Sequence, residues 1–351
     1  MGEELRHQIE KGVINFLDVL RIVSPGTSLR AAIDDVVRAG MGALILVEAD
    51  GIEDVIDGGF KVDCNFTQQR LIELCKMDGG IVLSGDLKRI LYSNVLVVPD
   101  HTLPTQETGT RHKAAERIAK QLKTLVIAIS ERRKKVTLYY NQSRYELTNT
   151  EDILRRTNET LRILEKQREL YDELITNLNV SEITGLVALS DVCSVLQRIQ
   201  IILKMEDLLK KAVVELGQEG IIVRMRLREI MGDIDKTKHL ILKDYTGNSI
   251  EIIEEKLDEL DFHNLLDTTT FAKLLFDSSP ESSITPQGYR IIGKTSLTEQ
   301  EINSLIKHFD NLNSLLESDE TDLIKIIGHK AVSFTQDLKK LKEQIMMGKK
   351  V

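Results

Sequence analysis

The chain has 351 residues, 42% hydrophobic, 29% charged and 4% aromatic, with no tryptophan and a formal net charge of −8. That length gives room for two or three domains with largely aliphatic cores. The acidic balance excludes a nucleic-acid surface spread over the whole chain, while leaving room for a local basic patch.

From its first residues, MGEELRHQIEKGVINFL, the chain is charged and lacks the apolar region of a signal peptide. No apolar run approaches the ~20 residues that span a bilayer, and Cys64, Cys75 and Cys193 form no C-x-x-C pair. The expectation is a reduced, cytoplasmic protein with no membrane partner, disulfide framework or zinc knuckle. Up to about residue 147, short apolar runs alternate with helical stretches. GALILVE (Gly42–Glu48), GIVLS (Gly80–Ser84), NVLVVP (Asn94–Pro99), TLVIAIS (Thr124–Ser130) and VTLYY (Val136–Tyr140) read as strands. TQQRLIELCKM and RHKAAERIAKQL have helical spacing, and SERRKK is a tight charged turn. Apolar strands separated by helices predict an α/β domain whose sheet is covered on both faces.

Beyond about Asn149 the pattern becomes helical. In EDILRRTNETLRILEKQRELYDELITNL, Leu154, Leu161, Leu164, Tyr171, Leu174 and Leu178 form one stripe, which predicts a long amphipathic spine. Gly185 and Gly217 punctuate further helices, and a polar break from Asp277 to Gln287, rich in Ser and Pro, marks a second boundary before short helices. The stretch GYRIIGKTS (Gly288–Ser296) fits the phosphate-loop pattern G-x-x-x-x-G-K-[ST]. Such a loop must lie between a buried strand and a helix. Here Ser, Pro, Thr and Gln precede it, and Thr298 with Glu301 caps a new helix after it. A tight turn between helices is the better reading, and a P-loop ATPase is set aside.

A second phosphate candidate lies in TGTRHKAAERIAKQL (Thr108–Leu122). Thr110 is expected at the N-cap, with Gly109 before it, and a helix start offers free N–H groups and roughly half a positive charge. Arg111, His112 and Lys113 crowd cations into that same turn, a conflict that a bound polyphosphate removes. An ordinary capped helix with solvated basic residues fits the spacing equally well. Asp78-Gly79-Gly80, at a strand entrance, is either a common turn or a carboxylate placed to hold a divalent metal beside a close nucleotide approach.

Together these segments resemble the DNA integrity scanning protein family of bacterial diadenylate cyclases. MDGGIVL resembles the family's D-G-A motif, and NVLVVPDHTLPTQETGTRHKAAERIAKQ its R-H-R motif with a long flank, continued by VIAISERRKKVTLYY. The resemblance implies an α/β cyclase domain (1–147, a mixed sheet flanked by helices), an all-α spine (148–284) and a C-terminal helix-hairpin-helix domain (285–351). It implies condensation of two ATP into cyclic di-AMP and two pyrophosphates by a homo-octamer of two four-membered rings. Asp78 would bind Mg²⁺ or Mn²⁺ and help activate the 3′-hydroxyl, with Arg111 and His112 catalytic. ATP contacts would come from Gly79, Val97, Thr110, Arg111, His112, Lys113, Ala114 and Ser130. Branched or damaged DNA would meet Lys325, Gly328, His329 and Lys330.

Three residues depart from the family pattern. Gly80 replaces the Ala of D-G-A and is expected to loosen the turn slightly. Lys113 replaces the second Arg of R-H-R, keeping charge but losing a bidentate fork, and Ala114 replaces a frequent Thr. In DLIKIIGHKAVSF, Ile326 stands where the usual hairpin has a glycine, so a purely structural helical cap is the competing reading there. For the whole chain, the competing reading is a DNA-binding scaffold whose cyclase domain binds nucleotide but turns over weakly.

Overall fold

A computed structural model describes residues 16–246, 250–265, 268–276 and 279–349. The charged start of the chain, residues 1–15, and the first two residues of the polar break, 277 and 278, lie outside the described residues. The chain divides into two compact units. One comprises Met1–Asn158 with Lys210–Arg224, the other Glu159–Leu209 with Met225–Val351.

The first unit is built on one mixed sheet. In chain order it runs α1 (Phe16–Ile22), α2 (Ser28–Arg38), β1 (Ala43–Val47), β2 (Ile56–Asp57), β3 (Phe60–Asn65), α3 (Gln68–Leu74), β4 (Gly80–Leu83) and β5 (Arg89–Val97). It continues through α4 (Thr110–Leu122), β6 (Leu125–Ser130), β7 (Lys135–Tyr140) and β8 (Ser143–Leu147). The strand order is β2-β5-β4-β1-β6-β7-β8, with β3 also pairing β5. Among the described residues only β1 and β4 run parallel, Leu44 opposite Gly80. Strand alternation sends Leu44, Leu46, Val82, Val126 and Ala128 to one face, where Ala115, Ile118 and Ala119 of α4 cover them. Ala43, Ile45, Val47, Ile81, Leu83, Ile127 and Ile129 point to the other face, beneath α1, α2 and α3. Both faces are therefore dry, which is why the central strands read as unbroken apolar runs.

Three strands escape the sequence reading. FKVDCN (β3) has no buried residue, SRYEL (β8) is at most half-buried, and β2 is two residues long. Edge strands of this kind carry little apolar signal. Strand β5 begins at Arg89, not Asn94, and Asn94 (φ +56°) sits where the register with β4 shifts, a bulge inside the strand.

The second unit is helical. Helices α5 (Thr150–Thr184) and α6 (Leu189–Leu216), separated at Gly185 (φ +72°), each give part of their length to it. Then come α7 (Ile221–Met231), α8 (Ile234–Thr246), α9 (Ile250–Glu259), α10 (Phe262–Leu265) and α11 (Thr268–Phe276). Leu161, Leu164, Tyr171 and Leu178 of the expected stripe enter its core, Leu174 packs against it, and Leu154 is half-buried. The described part of the polar break is fastened rather than loose: Leu189 N–H donates to Ser282 O (2.9 Å), Ser190 N–H to Pro280 O (2.9 Å) and Ile284 N–H to Val187 O (3.1 Å).

Five helices follow, α12 (Tyr289–Ile292), α13 (Glu299–Phe309), α14 (Leu312–Leu316), α15 (Glu320–Ile327) and α16 (Lys330–Met346), around Ile291, Ile292, Leu305, Leu312 and Phe334. The last, with 17 residues, is not the short helix expected. Thr298 and Glu301 form the expected capping box. Among the described residues no strand leads into Gly288. Its N–H and those of Tyr289 and Arg290 donate to the Asp244 carboxylate at 2.8, 2.6 and 3.0 Å. The backbone donors a phosphate loop would offer are thus taken by the chain's own carboxylate. Among the described residues no helix is long and apolar enough to cross a membrane.

Candidate active site

Sheet topology brings the first-unit candidates together. Asp78 and Gly79 form the turn from α3 into β4, both exposed. Because β4 runs parallel to β1 with Gly80 opposite Leu44, Asp78 reaches the level of Gly42, just before β1. Antiparallel β6 ends beside it at Ser130, and β5 ends with Val97 on the far side of β4. At this end of the sheet lies the Arg111 guanidinium, donating from Nη1 to Ile129 O (3.3 Å). A Cβ added at Gly42 would fall 2.2 Å from that nitrogen. Arg111 also pulls against the burial that pushes the Cys75 thiol up to about 12, which places its charge near the last turn of α3.

Two glycines serve this turn for different reasons. Gly79 has φ +93°, and a Cβ there would lie 2.8 Å from Val95 O, so both conformation and space require glycine. Gly80, expected to loosen the turn slightly, lies past the turn itself. It is the buried first residue of β4, and a Cβ there would meet Val97 Cγ2 at 2.9 Å and Leu46 Cδ1 at 3.1 Å. In this chain Val97 and Leu46 fill the room an alanine methyl would need.

The start of α4 also differs from expectation. Gly109, not Thr110, is the N-cap, and no side chain caps it. Thr110 is the exposed first helical residue, and the earliest helical bond is Lys113 N–H to Gly109 O (2.8 Å). Glycine in that position supplies no side-chain acceptor for the first amides. Lys113 and Ala114 are half-buried on the same turn. Ser130 Oγ accepts from Arg133 N–H at 3.3 Å.

His112 is held by residues not singled out from the sequence. Its Nδ1 lies 2.9 Å from the Tyr139 hydroxyl, which donates to Glu107 Oε1 (2.8 Å), and Arg144 Nε donates to the same oxygen (2.6 Å). Burial holds the His112 pKa below its usual value, Glu107 pulls it up, and Arg144, Arg111 and Arg133 push it further down. Glu107 lies inside the quoted T-Q-E-T-G-T block, and the apolar run VTLYY concealed that Tyr139 faces α4.

In the second unit, the four residues expected at DNA lie at one helix junction. Gly328 (φ +60°) ends α15 with open space around it, and His329 is exposed at the start of α16. Lys325 is paired with Asp322 (2.7 Å) and Lys330 with Glu301 (2.8 Å). Ile326 packs against the core beneath.

Residues 30–144 match the family model described as DisA bacterial checkpoint controller nucleotide-binding, and residues 147–283 match the DisA bacterial checkpoint controller linker region. The DNA integrity scanning protein DisA of Clostridioides difficile (strain 630) is 36% identical over 348 residues, 96% of this chain and 98% of its own. That of Clostridium botulinum (strain Alaska E43 / Type E3) is 37% identical over 354 residues, 98% of this chain and all of its own. That of Acetivibrio thermocellus is 38% identical over 343 residues, 94% of this chain and 95% of its own. Among solved structures, DacA from Staphylococcus aureus is 25% identical over 35% of this chain and 85% of its own, with a TM-score of 0.30. With likeness running nearly end to end in the curated relatives, the chain belongs to the DNA integrity scanning protein family.

Proposed function

We propose that this chain is a diadenylate cyclase that joins two ATP molecules into cyclic di-AMP, releasing two pyrophosphates, and that it couples this activity to branched or damaged DNA. The observation that carries the reading is the gathering of Asp78, Gly79, Val97 and Arg111 at one end of the sheet, with the uncapped start of α4 bearing Arg111 and His112.

In the proposed reaction the 3′-oxygen of one ATP bonds to the α-phosphorus of the other. The bond from that phosphorus to the pyrophosphate oxygen breaks, the hydroxyl proton leaves, and the step repeats in the opposite sense. Such transfers depend on alignment and on neutralising charge. Arg111 and the free amides of α4 would bind the α- and β-phosphates, with Lys113 adding charge and Thr110 and Ser130 hydroxyl contacts. Gly79 and Val97 would take the adenosine.

Asp78 is an exposed carboxylate at this end, and among the described residues no group of three or more His, Cys, Asp or Glu side chains is placed to hold a metal. One carboxylate with phosphate oxygens and waters completing the shell is a donor set that suits Mg²⁺ or Mn²⁺. Asp78 would hold that ion, which would supply charge to the α-phosphate and the attacking oxygen. One chain binds one ATP on this reading, so a second copy must face it, in line with a homo-octamer. For DNA, the α15–Gly328–α16 junction would meet backbone phosphate, with Lys325 and Lys330 exchanging their present carboxylate partners for it. Lys113 and Ala114 favour the second reading, a scaffold that binds nucleotide and turns over weakly.

The deciding experiment incubates the chain with ATP and Mg²⁺ or Mn²⁺ and identifies products by mass spectrometry, beside Asp78→Asn. Cyclic di-AMP from the parent and at least a hundredfold less from the variant is expected, on the order of 3 kcal/mol of transition-state stabilisation. ATP bound but unconsumed would favour the scaffold, and ADP with free phosphate would sink both.

A further inference from the structure

The contacts of His112 determine which of its nitrogens carries hydrogen. A phenol has one proton, and Tyr139, 1% exposed, contacts both His112 Nδ1 (2.9 Å) and Glu107 Oε1 (2.8 Å). Burial pushes the Glu107 pKa up, but the bonds from Tyr139 and Arg144 and the charges of Arg144 and His112 outweigh it and hold the group ionised. A carboxylate only accepts, so the phenol proton points at Glu107. In its other contact the Tyr139 oxygen must then accept, and His112 Nδ1 must donate. That leaves Nε2 as the open nitrogen. The Cδ2 edge of the ring, which flanks Nε2, lies beside Gly109 at the uncapped start of α4.

We propose that Glu107 and Tyr139 are positioning residues that fix His112 in its Nδ1–H form with Nε2 turned toward the nucleotide phosphates, and that Glu107 is the counter-charge allowing His112 to take a second proton when phosphate arrives. Its second half rests on the cyclase reading above. Phosphate oxygens in a bound nucleotide accept hydrogen bonds, so Nε2 meets them only as N–H. With Nδ1 already protonated, that species is the imidazolium. Arg111, Arg133 and Arg144 all oppose this charge in the free site, and Glu107 is the acid that supports it. A bound phosphate and Glu107 therefore act on the ring from opposite ends.

The first test needs no turnover. Nitrogen-15 spectra of His112 in the nucleotide-free chain, above its titration, should show a pyrrole-type Nδ1 and a pyridine-type Nε2. Tyr139→Phe should lose that preference, and Asp78→Asn should keep it. An Nε2–H ring in the parent overturns the proposal whatever the enzyme does. The second test follows kcat/KM against pH, or ATP affinity if no cyclic product forms. The parent curve should fall as pH rises through the titration of His112 in the free site. Glu107→Gln should move that limb about one unit lower, roughly a tenfold loss on the limb, expressed mainly in KM. A limb that stays in place removes the counter-charge role. Activity that instead falls on acidification would make neutral Nε2 a base toward the 3′-hydroxyl, and would overturn it too.

Discussion

Arg111 is positioned by the absence of a side chain elsewhere. Its guanidinium occupies the space above Gly42, and its bond to Ile129 O fixes it at the sheet end where Asp78 emerges. Gly42→Ala therefore tests Arg111 without altering it. The atom in the way is the tip of a flexible side chain, so the fold should absorb the methyl with little loss and Tm should stay within about 2 °C. The guanidinium must move, and losing one charge-assisted contact to phosphate is worth about 1.5–3 kcal/mol. A rise in KM for ATP of roughly tenfold or more, measured by initial rates, is the expected outcome. A KM equal to the parent's would mean that Arg111 does not bind nucleotide from its present position.

At the scale of elements, the loop from Val98 to Gly109 matters because it carries Glu107. It is fastened along α4 by successive side chains of that helix. Glu116 accepts from the Thr105 hydroxyl (2.6 Å) and Gln106 N–H (3.2 Å), Arg117 donates to Leu103 O (2.9 Å), Lys120 to Pro104 O (2.8 Å), and Gln121 accepts from Asp100 N–H (3.0 Å). Burial raises the Glu116 pKa, but the bonds from Lys120 and Thr105 and the Lys120 charge outweigh it, so the net shift is downward. A depressed carboxylate stabilises the fold above its unfolded value of about 4.5 and loses that contribution as pH falls through its folded value. Melting curves of the parent should thus weaken below about pH 4.5, and Glu116→Gln should flatten that slope. At pH 7 it should cost about 1 kcal/mol and lower activity by releasing Glu107. A variant with the parent's acid slope would mean the loop is not held through Glu116.

These elements also mark how far the sequence could be read. The central strands announce themselves because burial on both faces leaves no polar residue to interrupt them, as in ALILV and GIVL, and α4 shows itself by the apolar stripe of Ala115, Ile118 and Ala119. Asp78, Arg111 and His112 were legible because short motifs hold them. Glu107, Tyr139 and Arg144 were not, since 32 residues separate the first two and only the pairing of β6, β7 and β8 brings them beneath α4. The role of Gly42 was equally hidden, because it depends on a guanidinium 69 positions later.

At the scale of the whole molecule, Glu107 and Glu116 in the first unit and Asp244 in the second are shifted in opposite directions. The first holds depressed carboxylates, Glu107 and Glu116, and is weakened by acid. In the second, Asp244 is 2% exposed, and burial together with the neighbouring Glu182 charge raises its pKa from 3.8 to about 7, against the pull of Arg290 and the Gly288 and Arg290 amides. Arg290 is itself buried, bonded to Glu182 Oε2 at 2.5 Å, with Asn179 as its other partner. A carboxylate whose folded pKa lies above its unfolded one stabilises the fold in its protonated form. That contribution is complete below about pH 4 and is lost as pH rises through about 7. The place to observe this is the Ile292 and Gly293 amides of α12, bonded to Gly288 O and Tyr289 O. Their hydrogen-exchange protection, corrected for intrinsic rate, should fall between pH 5 and 8. Three half-buried carboxylates of the same unit, Glu301, Asp322 and Asp337, are lowered and stay ionised there, so they add no slope. Asp244→Asn presents one acceptor oxygen and one amide where two oxygens now receive three N–H groups, leaving the Arg290 amide without a partner. It should weaken α12 by about 1–3 kcal/mol and abolish the slope. Protection that instead rises from pH 5 to 8 would mean that Asp244 is ionised throughout, with Arg290 and the three amides outweighing both its burial and Glu182.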